Sequence, residues 1–127
     1  MSTITLLVDN LAGNGLQHEH GLSIFIKHQD KRILFDNGQN EVLFHNADRL
    51  GISLSDLDII ILSHGHYDHG GNLASLLLAN PNALFFAHPD CLQTRSSLHP
   101  DKPARMISLN QNTIEAIDNF PDKQKNG

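Results

Sequence analysis

Residues 62–71 read Leu-Ser-His-Gly-His-Tyr-Asp-His-Gly-Gly and follow directly on the apolar run Ile59-Ile60-Ile61. No other stretch limits the possible folds so tightly. A short, unbroken apolar run bounded by polar residues reads as a buried strand of an α/β domain. What leaves its end is a cluster of three imidazoles and one carboxylate, His64, His66, Asp68 and His69. These are ligand types for Zn²⁺, Mn²⁺ and Fe²⁺. The chain must therefore bury the run while keeping its C-terminal end open to a metal. His64 and His66 are two apart, so in extended backbone their side chains leave on the same side and can share one ion. Asp68 and His69 diverge from each other and are better placed for a second ion. Two ions about 4 Å apart form the arrangement that clamps a nucleophile and a developing oxyanion in hydrolysis or group transfer. The competing reading is chance clustering in a chain with 9 His among 127 residues, and the strand context weighs against it.

The remaining composition mainly excludes. A chain of 127 residues bounds the answer to one domain. The 9 basic residues are scattered against 14 acidic ones, a net charge of −5, so nucleic acid is not an expected partner. No apolar stretch reaches the roughly 18 residues of a membrane span. The first residues lack the regions of a signal peptide. The lone Cys91 excludes an internal disulfide and reads as a small, partly buried hydrophobe rather than a catalytic thiol. A cytoplasmic protein is expected, with no membrane association.

Along the chain, Thr3 to Val8 is β-rich and 10–20 is loop-like. Leu22 to Ile26 and Arg32 to Phe35 form a hairpin around Gln29-Asp30-Lys31. Between Gln39 and Leu50 the period changes, with Val42, Leu43, Ala47 and Leu50 at helical spacing and Gly51 as a stop. The spacing further predicts a strand over 57–62, a helix over 72–78, a strand over 83–87, a helix from His88-Pro89-Asp90 to Arg95 and a short helix over 113–117. Residues 121–127 read as a disordered tail after a domain at 1–120. Strands alternating with helices make the fold class α/β.

Ser63-His64-Gly65-His66-Tyr67-Asp68-His69-Gly70-Gly71 resembles the signature loop of the metallo-β-lactamase superfamily. More narrowly, Leu7-Val8-Asp9-Asn10, Glu19-His20-Gly21-Leu22-Ser23, Leu34-Phe35-Asp36-Asn37-Gly38-Gln39 and Asn46-Ala47 resemble its dihydropterin–ribofuranosylaminobenzene-phosphate synthase-like branch. The resemblance runs from about Thr3 to Arg105. It implies an α/β chain forming the N-terminal half of an αββα sandwich, and two divalent metal ions, zinc first with Mn or Fe as alternatives. It also implies a small-molecule substrate bearing a pterin or phosphate. His64 and His66 would hold one ion and Asp68 and His69 the other, with Asp68 also the catalytic carboxylate. Asp36 would position the metal loop from behind the ligands, though a strand-end Asp in a turn reads equally well. His20 would contact substrate at the rim, or lie exposed beside Glu19. Asn37 stands where the branch usually has Thr.

In the family the remaining ligands come from the second half of the domain, which this sequence does not contain. His88 reads as a corner residue and His99 as a solvated one. The expectation is therefore an enzyme incomplete in this chain, whose sheet exposes an apolar face and either self-associates or takes a complementary second-half chain. The alternative is a non-catalytic half-domain that binds metal weakly or serves association. An amidohydrolase-type barrel also uses His-x-His at a strand end, but needs far more chain.

Overall fold

A computed structural model describes residues 2–11, 13, 15–64, 67–87, 96–99, 102–106, 111–121 and 125–126. The strands β1 (Ser2–Val8), β2 (Ser23–His28), β3 (Lys31–Phe35), β4 (Ile59–Leu62), β5 (Leu84–Ala87) and β8 (Lys125–Asn126) form one sheet in that order. The first three run antiparallel as a meander, and β3, β4 and β5 are parallel neighbours. Parallel pairing requires crossovers. The helix α1 (Val42–Arg49) supplies one, and α2 (Tyr67–Gly70) with α3 (Leu73–Ala79) the other. The strands β6 (Ser96–His99) and β7 (Lys102–Met106) make a separate hairpin before α4 (Gln111–Asn119). This is the α/β class read from the sequence.

The register explains how the sheet acquires two unlike faces. Phe25, Leu34, Ile60 and Phe85 are cross-strand partners in one row, and all four are buried. They join Leu43 of α1, Leu73, Leu76 and Leu77 of α3, and Ile117 of α4 in a single core. Phe120 closes it edge-on against Phe85, with ring centroids 6.4 Å apart. On the other face, two further rows are equally apolar. One runs Ile4, Ile26, Ile33, Ile59, Leu84, and the other Leu6, Ile24, Phe35, Ile61, Phe86. None of these ten is buried. The run at 59–61, expected to be a buried strand, is thus buried on one face only, the side on which α1, α3 and α4 join the core.

Local signals place the helices. The apolar residues Val42, Leu43 and Ala47 turn the buried face of α1 inward. Its end follows from Gly51, whose φ of 70° few other residues tolerate. Gly51 N–H donates to Asp48 O and Ile52 N–H to Ala47 O, the paired closure that glycine after a helix permits. The helix starts three residues later than the periodicity suggested, at Val42 rather than Gln39. The N–H groups of Gln39 and Asn40 instead donate to the Glu19 carboxylate at 2.6 and 3.0 Å.

Other differences have similar causes. The helix α2 inside the histidine loop is too short for periodicity to reveal. Residues 96–106 carry no strand alternation strong enough to read, and His99, read as a loop residue, lies in β6. Within the segment expected to be a disordered tail, 121–127, Lys125 and Asn126 pair with Phe85 and Phe86. Backbone hydrogen bonding at a sheet edge does not require apolar side chains, which is why composition missed it. The helix expected over His88–Arg95, with Cys91, lies outside the described residues. Among the described residues, no helix is long and apolar enough to cross a membrane.

Ile60, fully buried at the centre of the core row, provides the test of this packing. Ile60→Ala is expected to cost about 2–5 kcal/mol by urea unfolding. An unchanged midpoint would contradict its placement.

Candidate metal centre

The site forms where β3 and β4 end side by side. Phe35 and Ile61 are register partners, so the residues following each, Asp36 and the 62–64 segment, emerge together. Asp36 leaves the strand at a φ of 56°, in the left-handed region that Asp tolerates better than most residues. Two bonds hold this turn: Asp36 N–H donates to Ile61 O at 2.8 Å, and Ser23 Oγ donates to Asp36 O at 2.7 Å. The reversal swings the carboxylate across the end of β4, where it is 1% exposed.

A buried carboxylate is costly unless its oxygens are hydrogen-bonded. Here Oδ1 accepts from Ser63 N–H at 2.7 Å, and Oδ2 accepts from Ser63 Oγ at 2.5 Å and from His69 Nδ1 at 2.7 Å. These bonds also determine the histidine tautomers. A carboxylate only accepts, so His69 carries its proton on Nδ1. Ser63 spends its single hydroxyl proton on Asp36. Toward His64 Nδ1, 2.8 Å away, the same oxygen can therefore only accept, and His64 is also protonated on Nδ1. Both rings are left with their lone pair on Nε2, the nitrogen presented to a metal when a second shell grips the other.

The two rings lie close together, with centroids 4.1 Å apart and planes tilted by 51°. Potential ligand atoms of Asp36, His64 and His69 fall within 4.8 Å of one another. Asp36 is a poor ligand within this trio, because three donors already occupy its oxygens. The chemistry of the donor set, imidazoles held from behind by a carboxylate, fits a divalent metal of the zinc type.

A strap holds the loop in place. Asn37 N–H donates to His69 O at 2.7 Å and Gly71 N–H to Gly38 O at 2.9 Å. Asn72 gives its N–H to Asn37 Oδ1 and its side-chain amide to the carbonyls of Asn37 and Asn40. Gly38 is at a φ of 71°, and a Cβ there would come within 3.0 Å of Val8 Cγ2 and 3.2 Å of Glu19 Oε2. The strap, the first loop and β1 thus meet at a point where any side chain would be strained. Among the described residues, Asn37 Nδ2 is the buried side-chain polar atom left without a partner.

Of the residues singled out from sequence, the structure brings Asp36, His64 and His69 together. His66 lies outside the described residues, and so does His88. Asp68 and Tyr67 are placed by backbone in α2, directly before His69. His20 is exposed in the first loop, beside the anchored Glu19, and outside the Asp36–His64–His69 group. Sequence reading missed Ser63, whose hydroxyl links His64 to Asp36. Its only sequence signal is its position directly before the first histidine.

Comparison with known proteins adds relatives to this geometry. A family model described as the metallo-beta-lactamase superfamily matches residues 17–98. An uncharacterized protein of Methanocaldococcus jannaschii is 41% identical over 88 residues, which make up 68% of this chain and 34% of that protein. The 7,8-dihydropterin-6-methyl-4-(beta-D-ribofuranosyl)-aminobenzene-5'-phosphate synthase of the same organism is 36% identical over 89 residues, 65% of this chain and 30% of the synthase. The chain spans about a third of the length of these two curated relatives. Among solved structures, Tm1679, a metal-dependent hydrolase of the beta-lactamase superfamily, superposes with a TM-score of 0.67 at 29% identity, over 98% of this chain and 40% of that one. The Rm3 metallo-beta-lactamase gives a TM-score of 0.51 at 29% identity, over 70% of this chain and 30% of its own.

The network predicts a graded response to mutation. Asp36→Asn places an amide donor against Ser63 or His69, and zinc affinity is expected to fall roughly 10–100-fold. Ser63→Ala frees His64 and removes one of the three donors to Asp36 but keeps the His69 bond, and should cost less. Equilibrium dialysis with a competing chelator measures both, and equal affinity in all three proteins would contradict the positioning role of Asp36.

Proposed function

The chain belongs to the metallo-β-lactamase superfamily, and from that premise we propose that it carries the metal-binding part of a metal-dependent hydrolase or transferase. The observation that carries this reading is the hydrogen bonding of Nδ1 in both histidines, His69 to Asp36 directly and His64 to Ser63, which leaves Nε2 of each ring as the nitrogen to offer a metal. A protein needs that arrangement to present Nε2 lone pairs, and core packing alone does not.

We assign His64 and His66 to a first divalent ion and Asp68 and His69 to a second, with zinc preferred for imidazole-rich sites and Mn or Fe as the alternatives. A divalent metal there supplies Lewis-acid polarisation of a carbonyl or phosphoryl oxygen and acidifies water. The protein's own part is positioning. Asp36 holds the Nδ1 proton of His69, Ser63 relays the same restraint to His64, and the Asn37–Asn72 strap keeps the loop from retreating. Asp68, directly before His69 on α2, is the carboxylate we assign to accept a proton from the attacking water and return it to the leaving group as that bond breaks. His20, exposed on the first loop, is assigned to the substrate rim.

The substrate class we propose is a small molecule bearing a phosphate or pterin. Support comes from the synthase relative, whose name carries a pterin and a phosphate; the hydrolase Tm1679 supports metal-dependent hydrolysis alone. A cytoplasmic setting accords with this class. A second reading is metal binding without turnover. Catalytic zinc usually keeps three protein ligands, whereas four motif residues shared between two ions give two each.

The two readings separate in one experiment on the protein loaded with Zn²⁺, Mn²⁺ or Fe²⁺. Metal content is measured alongside hydrolysis of a phosphodiester and a lactone. The proposed function predicts metal-dependent turnover that falls at least 100-fold in His69→Ala, as expected when a group stabilising the transition state is lost. Stoichiometric metal without turnover supports the second reading. Metal binding indifferent to both His64→Ala and His69→Ala overturns the site itself.

A further inference from the structure

Asn37 and Gly38 place an Asn-Gly dipeptide inside the strap that holds the metal loop. This pair is especially prone to lose its amide in water, because glycine has no side chain to keep its backbone nitrogen away from the Asn Cγ. The deprotonated Gly38 nitrogen attacks Cγ, ammonia leaves, and a cyclic imide remains. Water then opens either imide carbonyl. One product is aspartate, and the other is isoaspartate, in which the chain runs on through the side-chain carbon. Water is the sole co-reactant.

The fold withholds each requirement of that reaction. Asn37 is 0% exposed, which keeps hydroxide and water away from it. The Gly38 N–H donates to Leu22 O at 2.9 Å, so the proton that must leave is held. The Asn37 amide is pinned through Oδ1, which accepts from Asn72 N–H at 2.7 Å. Its backbone is gripped on both sides, the N–H by His69 O and the carbonyl by Asn72 Nδ2, each at 2.7 Å. Of the four polar atoms of Asn37, the one without a partner is Nδ2, the nitrogen that departs. The same dipeptide recurs at Asn14-Gly15 in the first loop, where Gly15 is exposed.

We propose that Asn37–Gly38 is a deamidation site closed by the strap and opened by its release, so that unfolding leaves a chemical mark at the base of the metal loop. Local opening is enough, and the rate then follows the population of the open form. Neither product closes the strap as before. Aspartate puts a buried charge in place of an atom that made no bond. Isoaspartate inserts a methylene between residue 37 and the Gly38 amide. The bonds of Asn37 to His69, of Gly38 N–H to Leu22 and of Gly38 O to Gly71 then no longer fit one register. The mark is therefore one-way, and it stands apart from the proposed metal chemistry because it depends on these hydrogen bonds alone.

Peptide mapping by mass spectrometry tests this on the full chain, incubated in mildly alkaline buffer with and without urea. Conversion at Asn37 is compared with conversion at Asn14 in the same sample. In urea the two are expected to react at comparable rates. In native buffer the ratio of Asn37 to Asn14 should fall roughly tenfold or more, as local protection requires. Asn72→Ala, which removes the bonds to the carbonyls of Asn37 and Asn40, should raise conversion at Asn37 severalfold and leave Asn14 unaffected. Asn37→Asp, the product made directly, should melt below the parent, whereas Asn14→Asp should not. A ratio that is the same in native buffer and in urea overturns the proposal, and so does slow conversion of Asn37 in urea. A melting temperature unchanged in Asn37→Asp overturns the claim that the mark opens the strap. The wild-type ratio decides the matter even where a variant fails to fold.

Discussion

The carboxylate of Asp36 is the point on which the site depends. It is buried at the junction of two parallel strands, and burial obliges its oxygens to find donors. The donors it finds are the backbone and hydroxyl of Ser63 and the ring of His69. Satisfying one desolvated group therefore fixes the start of the histidine loop, its far end and the protonation pattern of two rings at once. The left-handed turn at Asp36 is the local strain that this placement requires, offset by the bonds through Ser23 and Ile61.

The same register that creates the site also divides the sheet. Odd and even positions of each strand point to opposite faces, so the row of Phe25, Leu34, Ile60 and Phe85 enters the helical core while its neighbours on each strand face away. That second face runs up to Ser63, directly beside the metal loop.

Much of this was legible before any coordinates. The α/β class, the hairpin of β2 and β3, the strands near 57–62 and 83–87 and the Gly51 stop all follow from periodicity and turn chemistry, and the spacing of His64, His66, Asp68 and His69 points to a metal. The illegible parts are those made by tertiary contact. Ser63 looks like an ordinary serine until the turn at Asp36 brings a carboxylate within reach. Glu19 shortens α1 by taking the N–H groups of Gln39 and Asn40, a bond spanning about twenty positions that no local pattern encodes. The run at 59–61 reads as doubly buried because composition cannot tell which face a helix will cover. Lys125 and Asn126 join the sheet by strand pairing, to which side-chain composition is blind.

The most direct test of the account is the protonation pattern of the two rings. Long-range ¹H–¹⁵N correlation of the metal-free protein, labelled at histidine and assigned through His64→Gln and His69→Gln, reads the tautomer of each ring. The account predicts both His64 and His69 with the proton on Nδ1, and loss of that preference at both rings in Asp36→Asn. Rings protonated on Nε2, or tautomers that do not respond to the loss of the Asp36 carboxylate, would contradict it.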